Sequence, residues 1–228
     1  MAADDGREHY EKLYSSYWAL PHFRFEYNKF KHRVKAIVAD NAVRIAPNDT
    51  AVDLGCGLGP KTYVLSEFFA HTTGIDFIQN CVQIATLLND RPTLRFVWED
   101  VNTHDREPRR YEFVTALGLS IFNEKDADTL LKNLREITAK YAAEKHTVII
   151  GSETDFSGKS PSGWYYHTRS EIKQIAQKME REGYAVKNYF PHRSIRNYRG
   201  NGIRHLLLET YRLLFARKRE YYFILTKA

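Results

Sequence analysis

Val52-Asp53-Leu54-Gly55-Cys56-Gly57-Leu58-Gly59-Pro60 is the stretch on which the reading of this sequence turns. The apolar run Thr50 to Leu54 reads as a short buried strand, and the residues from Lys61 to Ala70 read as a helix. Between them lie three glycines at alternate positions. Glycines at a strand-to-helix turn let the backbone approach a ligand closely, and the helix N-terminus behind them offers free N–H groups. A dinucleotide fingerprint, Gly-x-Gly-x-x-Gly, needs its third glycine one position later, where this chain has Pro60. The pattern here is Asp-x-Gly-x-Gly-x-Gly. A carboxylate just ahead of the loop repels a diphosphate, but it accepts a hydrogen bond from an ammonium group, directly or through water.

Outward from this turn the chain alternates. A helix over Glu26 to Ile45 precedes it. Thr72-Thr-Gly-Ile-Asp76 forms a second strand, Gln79 to Leu88 a helix, Leu94-Arg-Phe-Val-Trp98 a third strand and Tyr111 to Leu117 a fourth. Ala127 to Tyr141 is an amphipathic helix with Leu130, Leu131, Leu134 and Ile137 on one face. His146 to Gly151 is a fifth strand. Ser152 to His167 is a loop rich in glycine, serine and aromatic residues, Ser170 to Glu182 a helix, and Tyr184 to Phe190 a sixth strand. A helix over Ile203 to Phe215 precedes the last strand, Tyr221 to Thr226. Strands alternating with helices imply an α/β fold with a mostly parallel sheet covered on both faces. No repeat or linker divides the chain, so the expectation is one domain over residues 1–228. It would comprise an N-terminal helical cap to residue 46, a cofactor-binding core over 47–151 and substrate-side elements over 152–228.

Taken in order, these motifs resemble the class I S-adenosylmethionine (SAM)-dependent methyltransferases, whose cofactor carries an amino group and no phosphate. The resemblance implies a Rossmann-like sheet of seven strands, with N-terminal cap helices and a helical insertion before the last strand. Asp53, Gly55, Cys56 and Gly57, with Gly59, resemble the first motif, around the methionine part of SAM. Asp76 ends strand two, where the family places a carboxylate on the ribose hydroxyls, and Phe77 would lie beside the adenine. After strand three, Trp98-Glu99-Asp100-Val101 offers an acidic side chain near the adenine amino group, and Asp100 followed by Val101 fits the pattern better than Glu99. Leu117, with Ala116 and Gly118, would line the cofactor beneath the transferred methyl group. Upstream, Tyr14 belongs to an aromatic stripe with Tyr10, Tyr17 and Trp18 that would cap the cofactor. Arg24, with Arg33 second, would pair with its carboxylate.

The acceptor side is read from absences and from variable segments. No Asn/Asp-Pro-Pro-Tyr follows strand four, where Leu117-Gly-Leu-Ser-Ile-Phe-Asn123 stands instead. That counts against methylation of an exocyclic or amide nitrogen. Neither of the two cysteines, Cys56 and Cys81, is placed as a nucleophile, which counts against pyrimidine C5 chemistry. With no Cys-x-x-Cys and no His-Glu-x-x-His, no metal is expected. Trp164, Tyr165, Tyr166 and His167 follow strand five, and Phe190-Pro-His-Arg193 through Arg199 follows strand six. The first cluster suits a sugar ring, an aryl ring or a base, and the second an anionic group. His167 and His192 are the candidate general bases, since imidazole is neutral near pH 7. Glu153 is a further polar contact.

The net charge of +6 is local: residues 186–228 hold ten Lys/Arg against two Asp/Glu, and the remainder is slightly acidic. An ordinary solvated surface accounts for this. The helix over Ile203 to Phe215 reads as packed over the sheet edge, with Arg217-Lys218-Arg219 as a basic turn at its end; a sharper reading is a membrane-surface or partner-binding helix over 203–219. No apolar run nears the roughly 18 residues that span a bilayer, and the charged N-terminal residues lack a signal peptide's apolar core, so a cytoplasmic location is expected. The expected activity is methyl transfer from SAM to oxygen or nitrogen of a small-molecule or saccharide acceptor. The alternatives are an RNA or protein methyltransferase using the basic C-terminal surface, a SAM-binding interaction module without turnover and, less favoured, a nicotinamide-dependent oxidoreductase.

Overall fold

The computed structural model describes residues 19–39, 43–102, 108–155, 165–189 and 218–227; side chains are described for 27–38, 43–102, 108–151, 165–188 and 221–227. The chain divides into two compact units, Met1–Val34 with Ile45–Glu107, and Lys35–Arg44 with Pro108–Ala228.

In the first unit, β1 (Thr50–Leu54) leads through the glycine turn into α2 (Pro60–Leu65), followed by β2 (His71–Asp76), α3 (Gln79–Leu88) and β3 (Leu94–Trp98). The strands are parallel in the order β3-β2-β1, with Asp53 opposite Gly74 and Asp76 opposite Trp98. Ala51 to Leu54 and Thr72 to Asp76 are buried throughout, the signature of strands covered on both faces. Helix α2 stops five residues before the expected Ala70. Its last residues settle into turns in which the Glu67 and Phe68 N–H groups reach back three residues, to Val64 and Leu65. The preceding helix, α1 (Ala19–Ala39), starts and ends earlier than the expected Glu26 to Ile45. Its Tyr27 and Lys31 both donate to Glu67 Oε1, at 2.8 and 2.9 Å.

The second unit carries β4 (Tyr111–Leu117), α4 (Ala127–Tyr141), β5 (Ala142–Asp155), α5 (Arg169–Arg181), β6 (Ala185–Tyr189) and β7 (Lys218–Lys227). The order is β4-β5-β7-β6, with β7 antiparallel to both neighbours. Asp126 caps α4, accepting the Thr129 N–H at 2.9 Å, and the expected apolar stripe of that helix is buried. Thr168 and Glu171 form a capping box at the start of α5. Strand β5 is more than twice the expected length. Ten of its residues pair with β7, so polar residues on either side of the apolar run are drawn into the ladder. For the same reason Lys218 and Arg219 are strand residues opposite Asp155 and Thr154, a correction to their reading as a basic turn after a helix.

Together the seven strands form the mixed, mostly parallel sheet flanked by helices that the alternation predicts. Among the described residues, no helix is long and apolar enough to cross a membrane.

Candidate cofactor site

The turn between β1 and α2 is built on backbone that other residues rarely adopt. Gly55, Gly57 and Gly59 have φ of 70°, 54° and 80°, and only glycine takes these values without strain. β2 fastens the turn at several points. The N–H groups of Gly55 and Cys56 donate to the Ile75 carbonyl at 2.9 and 3.0 Å, and the Gly57 N–H donates to Asp76 Oδ2 at 2.8 Å. Asp76 Oδ1 accepts the Ile78 N–H at 2.9 Å. Asp76 is 6% exposed. Burial pushes its carboxyl above the usual Asp range, the two backbone donors oppose this, and the nearby charge of Asp53 adds to it. Each oxygen has a further lone pair for an incoming donor.

Asp53 is fully buried, and its Oδ2 accepts the Thr62 hydroxyl at 2.8 Å, tying the end of β1 to α2. Burial, followed by the charges of Asp76 and Asp53, drives the Cys56 thiol well above its ordinary range, so this cysteine is a packing residue and no nucleophile. Phe77 packs against Leu58, Ile78 and Cys81, and its carbonyl accepts the Trp98 indole N–H at 2.9 Å. The acidic pair after β3 separates clearly. Glu99 is buried, and its N–H donates to the Asp76 carbonyl at 2.9 Å. Asp100 is exposed and accepts the Asn102 N–H at 2.9 Å, with Val101 half-buried between them.

Sequence reasoning missed what lies under the turn. A Cβ on Gly59 would come within 2.6 Å of the Phe96 ring, and one on Gly74 within 2.7 Å of the same ring. Phe96 therefore fills the space that two glycines leave. Asn89, at the end of α3, reaches the Leu58 carbonyl inside the turn at 3.3 Å. The period-two pattern of β3 places Phe96 on a face, but nothing local in the sequence marks Asn89.

In the second unit, Leu117 is buried at the end of β4, opposite Gly151, and Gly118 follows at φ 81°. Asn123 clamps the backbone of Tyr165: its Nδ2 donates to the Tyr165 carbonyl at 2.9 Å, and its Oδ1 accepts the Tyr165 N–H at 2.8 Å. His167 is fully buried. Its Nε2 lies 2.8 Å from the Glu124 carbonyl, which can only accept, so Nε2 carries the proton and Nδ1 accepts the Tyr221 hydroxyl at 2.7 Å. Burial holds this imidazole below its ordinary value, so the ring is a neutral bridge between the segment after β4 and strand β7. Tyr165 donates its hydroxyl to Glu171, and burial together with that carboxylate pushes the phenol up to about 12.

Tyr14, Trp164, His192, the Phe190 to Arg199 cluster and the helix over Ile203 to Phe215 lie outside the described residues. Arg24 falls in α1, but its side chain lies outside them, as does that of Glu153. Arg33 is buried in α1. Among the described residues, no cluster of His, Cys, Asp and Glu could hold a metal ion.

At the glycine turn and the strand ends beside it stand three buried carboxylates, Asp53, Asp76 and Glu99, with the Asn89 amide beneath the turn. This set fits a ligand that brings N–H and O–H donors and disfavours a diphosphate. A family model described as a methyltransferase domain matches residues 51–140, from β1 into α4. No curated protein matches the chain. Several solved structures are similar across nearly its full length. The plantazolicin methyltransferase BpumL, in complex with S-adenosylhomocysteine (SAH), aligns with a TM-score of 0.62 at 14% identity, covering 99% of this chain and 92% of that one. The magnesium protoporphyrin IX methyltransferase of Synechocystis PCC 6803, with bound SAM, aligns at 0.56 and 15% identity, with the same coverage. The N-methyltransferase NodS of Bradyrhizobium japonicum WM9 aligns at 0.57 and 11% identity, covering 90% and 97%. At these identities the likeness establishes the fold, and the match over residues 51–140 supplies the activity: this stretch is a SAM-dependent methyltransferase domain, with SAM as its cofactor.

Proposed function

We propose that this enzyme methylates an oxygen or nitrogen of a small-molecule or saccharide acceptor, and that Asp76, Asp53, Phe77 and Glu99 hold its cofactor. In this reading the free lone pairs of Asp76 take the ribose hydroxyls. Asp53, held by Thr62, receives the amino group directly or through water. Glu99, the buried member of the acidic pair, faces the adenine in preference to the exposed Asp100. SAM supplies an electrophilic methyl group on a sulfonium, which is already a good leaving group. The protein's work is then to position the acceptor and exclude water.

The acceptor reading is carried by Asn123. Recognition of an exocyclic or amide nitrogen needs a free amide or carboxylate after β4. Here both ends of the Asn123 amide are committed to the Tyr165 backbone. The segment is stiffened from within, and its amide is oriented by the Tyr165 backbone. With both nitrogens of His167 engaged, that residue acts by positioning, and His192 is the base for an acceptor hydroxyl. The expected cytoplasmic location accords with such an acceptor.

Incubating the enzyme with methyl-labelled SAM and separated small-molecule, glycan, RNA and protein fractions of a cell extract tests the acceptor class. Label is expected in the small-molecule or glycan fraction. Label confined to RNA or protein would overturn the reading in favour of the basic C-terminal surface.

A further inference from the structure

Asn89 caps the C-terminal end of α3 and is 4% exposed. Its Nδ2 donates to the Ala85 carbonyl at 2.7 Å and to the Leu58 carbonyl at 3.3 Å. These two carbonyls fix the sense of the amide, because the reversed orientation would set Oδ1 against two acceptors. Oδ1 is buried and has no hydrogen-bond partner. A buried amide oxygen left unpaired weakens a fold, so stability alone does not favour asparagine here. What the residue does uniquely is span from a helix end to the middle of the glycine turn, 31 positions earlier in the chain. Its Nδ2 would also stand 3.1 Å from a Cβ at Gly59, so the amide lies directly beneath the turn.

We infer that Asn89 is a positioning residue of the cofactor turn, holding the Leu58 peptide, and with it the approach of Gly57 and Gly59, from the C-terminal end of α3. The turn is anchored by backbone at Ile75 and by the carboxylate of Asp76 at its start. Asn89 supplies the anchor at its far side. Helix α3 thereby touches the turn from both ends, since Ile78, its N-cap, donates to the same Asp76 carboxylate that receives Gly57. The inference rests on the reading that this turn receives the amino-acid part of SAM, so a change at Asn89 should be felt by that part and not by the nucleoside.

The test is calorimetric titration of wild type, Asn89→Ala and Val82→Ala with SAH and with 5′-methylthioadenosine, which lacks the amino-acid part. Val82 lies about two turns earlier on the buried face of the same helix and controls for general loosening. For Asn89→Ala, SAH affinity is expected to fall about tenfold or more, with methylthioadenosine affinity kept within about twofold. Val82→Ala should leave the ratio of the two affinities at the wild-type value. An unchanged SAH affinity in Asn89→Ala, or an equal loss for both ligands, would overturn the inference. Should Asn89→Ala fail to fold, Asn89→Ser keeps a donor for the Ala85 carbonyl at the helix end and is read by the same criteria. Failure of the wild type to bind SAH would instead sink the cofactor reading beneath it.

Discussion

The carboxylate of Asp76 accepts the Gly57 N–H at 2.8 Å, so the residue that ends β2 also fixes the turn that ends β1. The two residues lie 19 positions apart in the chain, and the parallel register of β1 and β2 brings them to the same edge. On the proposed reading this one side chain has two duties, shaping the glycine turn and offering its remaining lone pairs to the cofactor.

Replacing Asp76 with alanine should remove both duties at once. Hydrogen bonds to a charged group contribute about 1.5–3 kcal/mol each, so SAH affinity is expected to fall at least about tenfold. Calorimetry on the folded variant measures this, and an unchanged dissociation constant would sink the assignment.

Phe96 beneath Gly59 and Gly74 separates two reasons for a glycine. Gly74→Ala meets the ring at 2.7 Å and Cys56 Sγ at 3.0 Å, on backbone that alanine adopts freely, and should cost about 1–3 kcal/mol of stability by overpacking. Adding Phe96→Leu should recover much of that loss. Gly59→Ala meets the ring at 2.6 Å and also places a Cβ on backbone at φ 80°, which costs about 1–2 kcal/mol more. Phe96→Leu should rescue it less completely. Denaturant unfolding of the four variants reads the difference, and equal rescue would refute the conformational argument.

Tyr221→Phe deletes the hydroxyl that donates to His167 Nδ1 inside the second unit. Taking the donor from a buried acceptor should cost about 1–3 kcal/mol. SAH affinity should stay within about twofold, because the bridge acts on the segment after β4. A Tyr221→Phe protein as stable as wild type would show that the bridge contributes nothing.

His146 and His167 set the acid side of stability. Burial holds both imidazoles below their ordinary value of 6.5. The unfolded chain then takes up protons more readily than the fold, so their contribution is complete above pH 6.5 and is lost as pH falls through the interval below it. The melting temperature should therefore drop between about pH 7 and pH 5. His146→Phe should flatten that slope, since it removes a buried ring whose Nε2 lacks a partner. An identical pH profile in this variant would contradict the assignment.

Much of this was legible in the sequence, because the strands and helices nearest the turn are local. α3, α4, β1, β3 and β4 run between the residues that periodicity marks. Asp53, the glycines and Asp76 stand at strand ends, where residue type alone carries chemical meaning. Illegible were contacts made across distance. The extension of β5 depends on pairing with β7, some 70 residues later. The Asn123–Tyr165 clamp spans 42 positions, and Asn89 reaches the turn only because α3 folds back beside it. That Glu99 is buried and Asp100 exposed was likewise not to be read from two adjacent acidic residues.

The central claim is a SAM site built on an acidic glycine turn, and calorimetric titration of the purified protein with SAM and, separately, with NAD(H) tests it most directly. The account predicts saturable binding of SAM and no heat from NAD(H), since Pro60 and the carboxylates around the turn exclude a diphosphate. Binding of NAD(H), or silence with SAM in a folded protein, would contradict it.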